Sequence, residues 1–273
     1  MSRPSPSALS LALSVVLAAL LALAATTAEP LVVAAAVGIA QLLVASAPGA
    51  PGPRRGSVPG PRFAPTVVAA VVASAVAVRP SLVVGQGDQV AGDIGRVQSG
   101  VFAGLLPAVA LGLIVALVLQ MIRRDPRTHL VRSVSLSVTL VVVAALASGW
   151  VSSVTATGGP DVVIICAASV AIGMIAWLVP IDRHLAAGIA TVLGGVAGAV
   201  AALVLDGLPT PAFGVAVGAT TAVLAVAGQV VGRHWAGDRF ERPEGWCFAA
   251  ACSLALAGPM AHLAGQLASA PLL

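Results

Sequence analysis

Long apolar segments alternate with short polar segments along almost the whole chain. Nine of them approach the roughly 20 residues that a helix needs to cross a bilayer. We therefore predict an all-α polytopic transmembrane bundle. The predicted spans are Ala8–Ala28, Leu31–Ala47, Pro65–Val84, Val101–Ile122, Val134–Val154, Val162–Ile181, Leu185–Leu205, Ala212–Val231 and Cys247–Leu267.

The first apolar segment has a second interpretation, as a secretory signal peptide. Arg3 would supply its positive region and Thr26-Thr27-Ala28 its cleavage site, and cleavage would leave eight spans. The apolar stretch is long for a signal peptide, and another one resumes at once at Leu31. We therefore favour an uncleaved helix.

The third segment is the weakest of the nine predicted spans. Its apolar run, Thr66–Val78, is short, and Arg79 and Pro80 interrupt it before the apolar sequence resumes. Without this span, every later loop would change sides, and the basic loop Arg123–Arg132 would face outward. We keep the span and expect Arg79 to extend to the outer interface.

The arginines predict the orientation of the bundle. With the N-terminus in the cytoplasm, only Arg79 and Arg96 of the 14 basic residues fall outside, as the positive-inside rule requires. We therefore predict a protein of the cytoplasmic (inner) membrane, with its C-terminus outside. The arginines predicted to be cytoplasmic are Arg3, Arg54, Arg55, Arg62, Arg123, Arg124, Arg127, Arg132, Arg183, Arg233, Arg239 and Arg242.

The composition agrees with a membrane protein. Hydrophobic residues make up 59% of the chain and charged residues 9%, against about 25% charged in soluble domains. The basic residues are all arginine and are scattered over short loops, which argues against a nucleic-acid partner. The predicted partners are membrane lipids and another membrane protein. Cys166, Cys247 and Cys252 lie in apolar segments without a CxxC pair, so we interpret them as packing residues.

The segment between the second and third spans divides the chain. It is rich in Pro and Gly and carries three arginines, which is typical of a linker. We predict a two-helix membrane unit over 1–47, a cytoplasmic linker over 48–64 and a seven-helix membrane domain over 65–273.

Polar residues within the predicted spans are few and mild. They include Gln41, Gln229, His262 and Gln266, and the last two lie four residues apart on one helix face. We expect them to form hydrogen bonds between helices. The scarcity of intramembrane charge argues against an ion-coupled transporter. Glycines at GxxxG spacing (Gly194 and Gly198, Gly214 and Gly218, Gly228 and Gly232) predict close helix packing.

The polar loop Gly232–Trp246, GRHWAGDRFERPEGW, is the best candidate for a chemical site. Arginines suit phosphate groups, and carboxylates could hold Mg²⁺ together with substrate phosphates. A loop that only sets topology and binds anionic lipid headgroups is the alternative. The candidate catalytic acids are Asp238 and Glu241, and the candidate phosphate-binding residues are Arg233, His234, Arg239 and Arg242.

The second half of the chain resembles the phosphatidate cytidylyltransferase (CDP-diacylglycerol synthase) family. The resemblance lies in the loop MIRRDPRTHLVR, the Gly-rich span IATVLGGVAGAVAALVL, and AVAGQVVG followed by DRFE and CFAAA. It implies that Asp238 and Glu241 match the acids of the family's Asp-Arg-x-Asp signature and Arg239 its basic residue. The chain departs from that signature: it contains no Lys and no Pro-Gly-His-Gly-Gly run.

Three functions remain open. The first is a non-catalytic scaffold or partner subunit of the cell envelope, without a cofactor. The second is an Mg²⁺-dependent enzyme of phospholipid or isoprenoid-phosphate metabolism, and the third is a transporter of lipids or small molecules. We favour the first.

Overall fold

The computed structural model describes residues 5–49, 61–79, 82, 92–122, 130–155, 159–205 and 210–269. Within these ranges the chain is all-α: ten α-helices, one short 3₁₀ turn and no strand. The helices are α1 Pro6–Ala25, α2 Pro30–Ala45, α3 Phe63–Val78, α4 Gly92–Ile122, α5 Leu130–Leu146, α6 Gly149–Val154, α7 Gly159–Ala176, α8 Arg183–Val204, α9 Pro211–Ala236 and α10 Pro243–Ser269, with the 3₁₀ turn at Gly237–Glu241 between α9 and α10.

Every predicted span corresponds to helix, which confirms the all-α polytopic bundle. In the described residues, seven segments are long and apolar enough to cross a bilayer: α1, α4, α5 with α6, α7, α8, α9 with the 3₁₀ turn, and α10. The other two, α2 and α3, are apolar helices of 16 residues each. At 1.5 Å per residue, each of these two covers about 24 Å, less than the hydrocarbon thickness.

Several predicted spans have different bounds in the structure: the fourth was predicted to begin at Val101, but α4 begins at Gly92, and the sixth was predicted to reach Ile181, but α7 ends at Ala176. For the third and the fifth, the structure shows the reason. The third was predicted to reach Val84, but α3 ends at Val78, next to the Arg79-Pro80 pair that interrupts the apolar run. The fifth is broken at 147–148, between α5 and α6. Gly149 lies there against the backbone of Gly258, where any side chain would collide. The break therefore lets the chain pass close to α10.

Local sequence explains where several helices begin and end. The Ser5 hydroxyl accepts from the Ala8 amide at the start of α1, the Asp182 carboxylate accepts from the first amides of α8, and the Thr210 hydroxyl accepts from Phe213 at the start of α9. At the end of α9, Gly237 has a φ of +51°, which glycine adopts without steric cost. That residue allows the chain to leave α9 and form the 3₁₀ turn.

The glycine pairs on α8 and α9 bring these two helices into close contact. A Cβ atom on Gly198 would collide with the carbonyl oxygen of Gly214, and one on Gly218 would lie 2.5 Å from the carbonyl oxygen of Gly194. On another face of α9, Gly228 packs against the backbone of Cys252 in α10. The predicted GxxxG spacing therefore packs helices within one chain and places α9 between α8 and α10.

Buried polar side chains connect helices that are distant in the sequence. Gln229 of α9 donates to the Ser10 hydroxyl of α1 at 2.7 Å, and Ser253 of α10 donates to the Gln229 carbonyl oxygen at 3.0 Å. Gln41 of α2 donates to the Ala144 carbonyl of α5 at 3.0 Å. As expected from the sequence, these groups form hydrogen bonds between helices.

The predicted division after position 47 stays a prediction. Positions 50–60 of the predicted linker lie outside the described residues, as does most of the basic loop at 123–129. In the described residues, α1 packs against α7 and α10, and α2 against α3, α6 and α10.

Four chain segments meet at one end of the bundle, which we call the arginine face. They are the start of α1 at Ser5, the described residues 48–49 and 61–62 of the predicted linker, the α7–α8 connection at Arg183, and the α9–α10 connection at 237–242. Contacts between these segments, described below, place them on the same side.

Candidate functional site

The predicted site segment Gly232–Trp246 covers the last turn of α9, the 3₁₀ turn and the start of α10. His234 and Arg242 are exposed, and neither side chain has a hydrogen bond or ion pair among the described residues. The structure therefore places these two candidate phosphate ligands at the surface of the arginine face.

Two other side chains of the segment donate hydrogen bonds to the backbone at the start of the predicted linker. The Arg239 guanidinium donates to the carbonyl oxygen of Gly49 at 2.6 Å, and the Trp235 indole donates to the carbonyl oxygen of Pro48 at 3.4 Å. The Trp235 ring also packs against Phe248 of α10, with 6.2 Å between ring centroids. Pro48 and Gly49 are buried, so Arg239 satisfies a backbone acceptor that has little access to water.

Arg62, at the start of α3, lies close to the same contacts. Burial lowers the pKa of the Arg62 guanidinium, the carboxylate of Glu244 raises it, and the charge of Arg239 lowers it further. The Glu244 carboxylate is therefore positioned to offset part of the repulsion between the two arginines. This electrostatic coupling links α3 to the start of α10.

The candidate acids, Asp238 and Glu241, are both exposed in the 3₁₀ turn. Residues three apart in a 3₁₀ helix lie on the same edge, so the two carboxylates share one edge of the turn. In the described parts of the chain, no group of three or more His, Cys, Asp or Glu residues could hold a metal ion. Together the two acids can supply two oxygen ligands, and Mg²⁺ bound there would need the rest from a substrate or water.

Arg233 is a half-buried candidate residue that faces a cavity. Its guanidinium carbon lies 5.0 Å from the centre of the Phe240 ring, a cation–π contact that joins α9 to the 3₁₀ turn. Its Nε atom is buried and has no hydrogen-bond partner among the described residues. The side chain lines a cavity of about 230 Å³ that also contains Arg183, at the start of α8.

Of the residues that line this cavity, only Arg233 was predicted as a site residue, and Arg183 was not. The sequence identified Arg183 only as a charge that sets topology. Fifty positions separate it from Arg233, and no local spacing relates the two. Only the packing of α8 against α9, imposed by the glycines, brings them together.

A second concavity lies between α7 and α8, and its exposed lining is apolar. It has a volume of about 500 Å³ and offers no polar group that could orient a reacting substrate. Its chemistry suits an acyl chain or an apolar helix. The isoleucine and leucine side chains that line it are Ile164, Ile172, Leu193 and Leu205.

The polar pair in the last span has a packing role. The Nδ1 atom of His262 lies 3.0 Å from the Ser152 hydroxyl of α6, and its Nε2 atom lies 2.6 Å from the side-chain amide of Gln266. Both ring nitrogens of His262 therefore have partners, and this group connects α10 to the broken span α5–α6.

The comparisons with known proteins leave the resemblance noted above as a prediction. No family model, curated protein or solved structure matches the chain. What the fold and the site establish together is an all-α, membrane-embedded bundle with an arginine-rich end.

Proposed function

We propose that this protein is a non-catalytic scaffold or partner subunit of the cytoplasmic membrane. The proposal rests on the observation that side chains of the polar α9–α10 segment contact other parts of the bundle. Arg239 and Trp235 donate to the backbone at 48–49, and Arg233 stacks on Phe240. These side chains hold the connections of the bundle to one another, which is the role expected of a rigid framework.

The polar groups in the interior support the same proposal. Gln229, Ser10 and Ser253 bind one another, as do the buried His262 and its neighbours. Interior polar groups that line a transport pathway would instead have to face a path for the substrate. Their use in helix pairing favours a structural role over a transporter.

The proposed orientation places the arginine face in the cytoplasm. This face carries Arg62, Arg183, Arg233, Arg239 and Arg242, and the positive-inside rule assigns such clusters of short basic loops to the cytoplasmic side. The start of α1 lies at this face, because Ser5 lines the same cavity as Arg183 and Arg233.

A second candidate function is an Mg²⁺-dependent enzyme acting on a phosphate-bearing lipid. One observation favours it: the carboxylates of Asp238 and Glu241 share an edge of the 3₁₀ turn. Phe240, between them in the sequence, contacts Arg233. In enzymes that transfer phosphate groups with Mg²⁺, carboxylates bind the metal ion and a guanidinium stabilises the phosphate charge.

An activity assay separates the two candidates. Purified protein in detergent is mixed with phosphatidate, CTP and Mg²⁺, and the release of pyrophosphate is measured for wild type and Asp238→Asn. The scaffold proposal predicts no turnover above protein-free micelles, together with stoichiometric co-purification of another membrane protein that Asp238→Asn leaves unchanged.

The control is Glu29→Gln, an exposed carboxylate in the connection between α1 and α2, outside the proposed site. Turnover that persists in Glu29→Gln and disappears in Asp238→Asn would overturn the scaffold proposal in favour of the enzyme.

A further inference from the structure

The cavity that contains Arg233 lies at the arginine face, where three helices and one connection meet. The start of α1, the connection between α7 and α8, the start of α8 and the last turn of α9 form its walls. Its volume of about 230 Å³ is below the roughly 300 Å³ at which pockets for whole drug-sized ligands begin. The cavity therefore suits a single small group. Its main lining residues are Ser5, Leu11, Trp177, Ile181, Arg183 and Arg233.

The two charged residues that line this cavity have the same sign. Arg183 and Arg233 are close enough for their positive charges to repel each other. Among the described residues, neither arginine forms an ion pair. The carboxylate next to Arg183 in the sequence, that of Asp182, accepts from the backbone amides of His184 and Leu185 instead. An anion bound in the cavity would replace this repulsion by attraction.

Arg233 also has hydrogen-bonding capacity that its neighbours do not use. Phe240 contacts its guanidinium group, and its Nε–H is buried without an acceptor among the described residues. A buried charged donor without a partner is unfavourable. The planar fork of a guanidinium matches the oxygens of a phosphate group and can bind two of them at once.

The rim of the cavity has the character of a membrane interface. Leu178, Val179 and Ile181 are 43%, 46% and 40% exposed, respectively, and Trp177 lines the wall. Tryptophan and exposed aliphatic side chains beside arginine are typical of the headgroup level of a bilayer. The starts of α1 and α8, which carry partial positive charge, also reach the cavity.

From this arrangement we propose that the cavity between α1, the α7–α8 connection, α8 and α9 binds a phosphate group, held by Arg183 and Arg233. The apolar rim makes an anionic phospholipid the source that fits best, with its phosphate in the cavity and its acyl chains beside α7. A soluble phosphate compound is the other source of the same chemistry. The site does not depend on whether the protein is a scaffold or an enzyme.

The test is the thermal unfolding midpoint, Tm, of the full-length protein in neutral detergent. The added probes are phosphatidylglycerol, phosphatidylcholine with the same acyl chains, and inorganic phosphate. The variants are Arg183→Gln and Arg233→Gln. The matched control is Arg132→Gln, an exposed arginine near the start of α5 that does not line the cavity.

We expect phosphatidylglycerol to raise the Tm of wild type and Arg132→Gln by at least about 3 °C more than phosphatidylcholine does. Arg183→Gln and Arg233→Gln should each lose at least half of that rise. If inorganic phosphate raises the Tm of wild type by the same amount, and the same two variants lose this rise, the cavity binds phosphate from a soluble compound.

The proposal is overturned if phosphatidylglycerol shifts the Tm of all four proteins equally, or if neither phosphatidylglycerol nor inorganic phosphate shifts the Tm of wild type. Arg183 is exposed and contributes little packing, so Arg183→Gln decides the outcome even if Arg233→Gln fails to fold.

Discussion

The side-chain amide of Gln229 donates to the hydroxyl of Ser10 at 2.7 Å, although 219 positions separate the two residues. Both side chains are fully buried, and the Gln229 carbonyl oxygen accepts from Ser253. Ser10 in turn donates to the Trp246 carbonyl at 2.9 Å. One amide thus joins the first helix of the chain to its last two.

Replacing Gln229 by Leu should destabilise the protein. The change removes two hydrogen bonds between helices, each worth roughly 0.6–2 kcal/mol in a membrane protein, so we expect a loss of about 1–4 kcal/mol. Unfolding by a denaturing detergent measures it. The control is Thr220→Val on the lipid-facing side of α9, where the hydroxyl bonds only within its own helix. Equal stability of the two variants would contradict the account.

A leucine at Gly198 should separate α8 from α9. Its side chain would collide with the backbone of Gly214, and overpacking of this kind costs roughly 1–3 kcal/mol or more. The control is Gly188→Leu on the same helix, because a Cβ there meets no atom within 4 Å. We expect Gly198→Leu to lower the yield of monodisperse protein and the Tm, and Gly188→Leu to change neither. The contact is refuted if both variants behave alike.

The apolar pattern predicted the helices because the required length of a span is nearly fixed by the bilayer. It missed the break at 147–148, since that break depends on the close approach of Gly149 to Gly258, more than a hundred residues away. It also overestimated the third span, where Arg79 and Pro80 are stronger stop signals than the apolar residues after them. Contacts at a distance and local stop signals are not visible in average hydropathy.

Breaking the contact between Arg239 and Gly49 should loosen the arginine face. Arg239→Met keeps most of the aliphatic part of the side chain but cannot donate to the Gly49 carbonyl. We expect faster tryptic cleavage after Arg62, which is half-buried and lies near Arg239 and Glu244. Digestion in detergent followed by mass spectrometry gives the rate. Arg242→Met, which removes an exposed arginine, should cleave at the wild-type rate, and similar rates for all three proteins would argue against the contact.

The mature protein should retain α1. Cleavage after Ala28 would remove Ser10 and Ser14 and leave the Gln229 amide without its partner in the interior. The intact mass of protein purified from membranes measures this directly. We expect a mass that includes α1; a species that starts at Glu29 would show that the first segment is a signal peptide.

The candidate site was predictable only in part. The chemically varied loop after the eighth span contained the arginines and acids that the structure places at the arginine face. The sequence could not distinguish Arg239, bound to a backbone carbonyl, from Arg233, which faces a cavity. Arg183 was not predicted as a site residue because its proximity to Arg233 depends on how α8 packs on α9. The composition of the loops does not reveal that packing.

Cysteine labelling of intact cells tests whether the arginine face of the membrane bundle lies in the cytoplasm. Arg79→Cys, at the end of α3, and Asp238→Cys, in the 3₁₀ turn, are exposed positions at predicted opposite sides. Wild type is the control, because Cys166 and Cys252 are buried and Cys247 lies within the last span. We predict that a membrane-impermeant maleimide labels Arg79→Cys on intact cells and Asp238→Cys only after permeabilisation. Labelling of both from the same side would contradict the account.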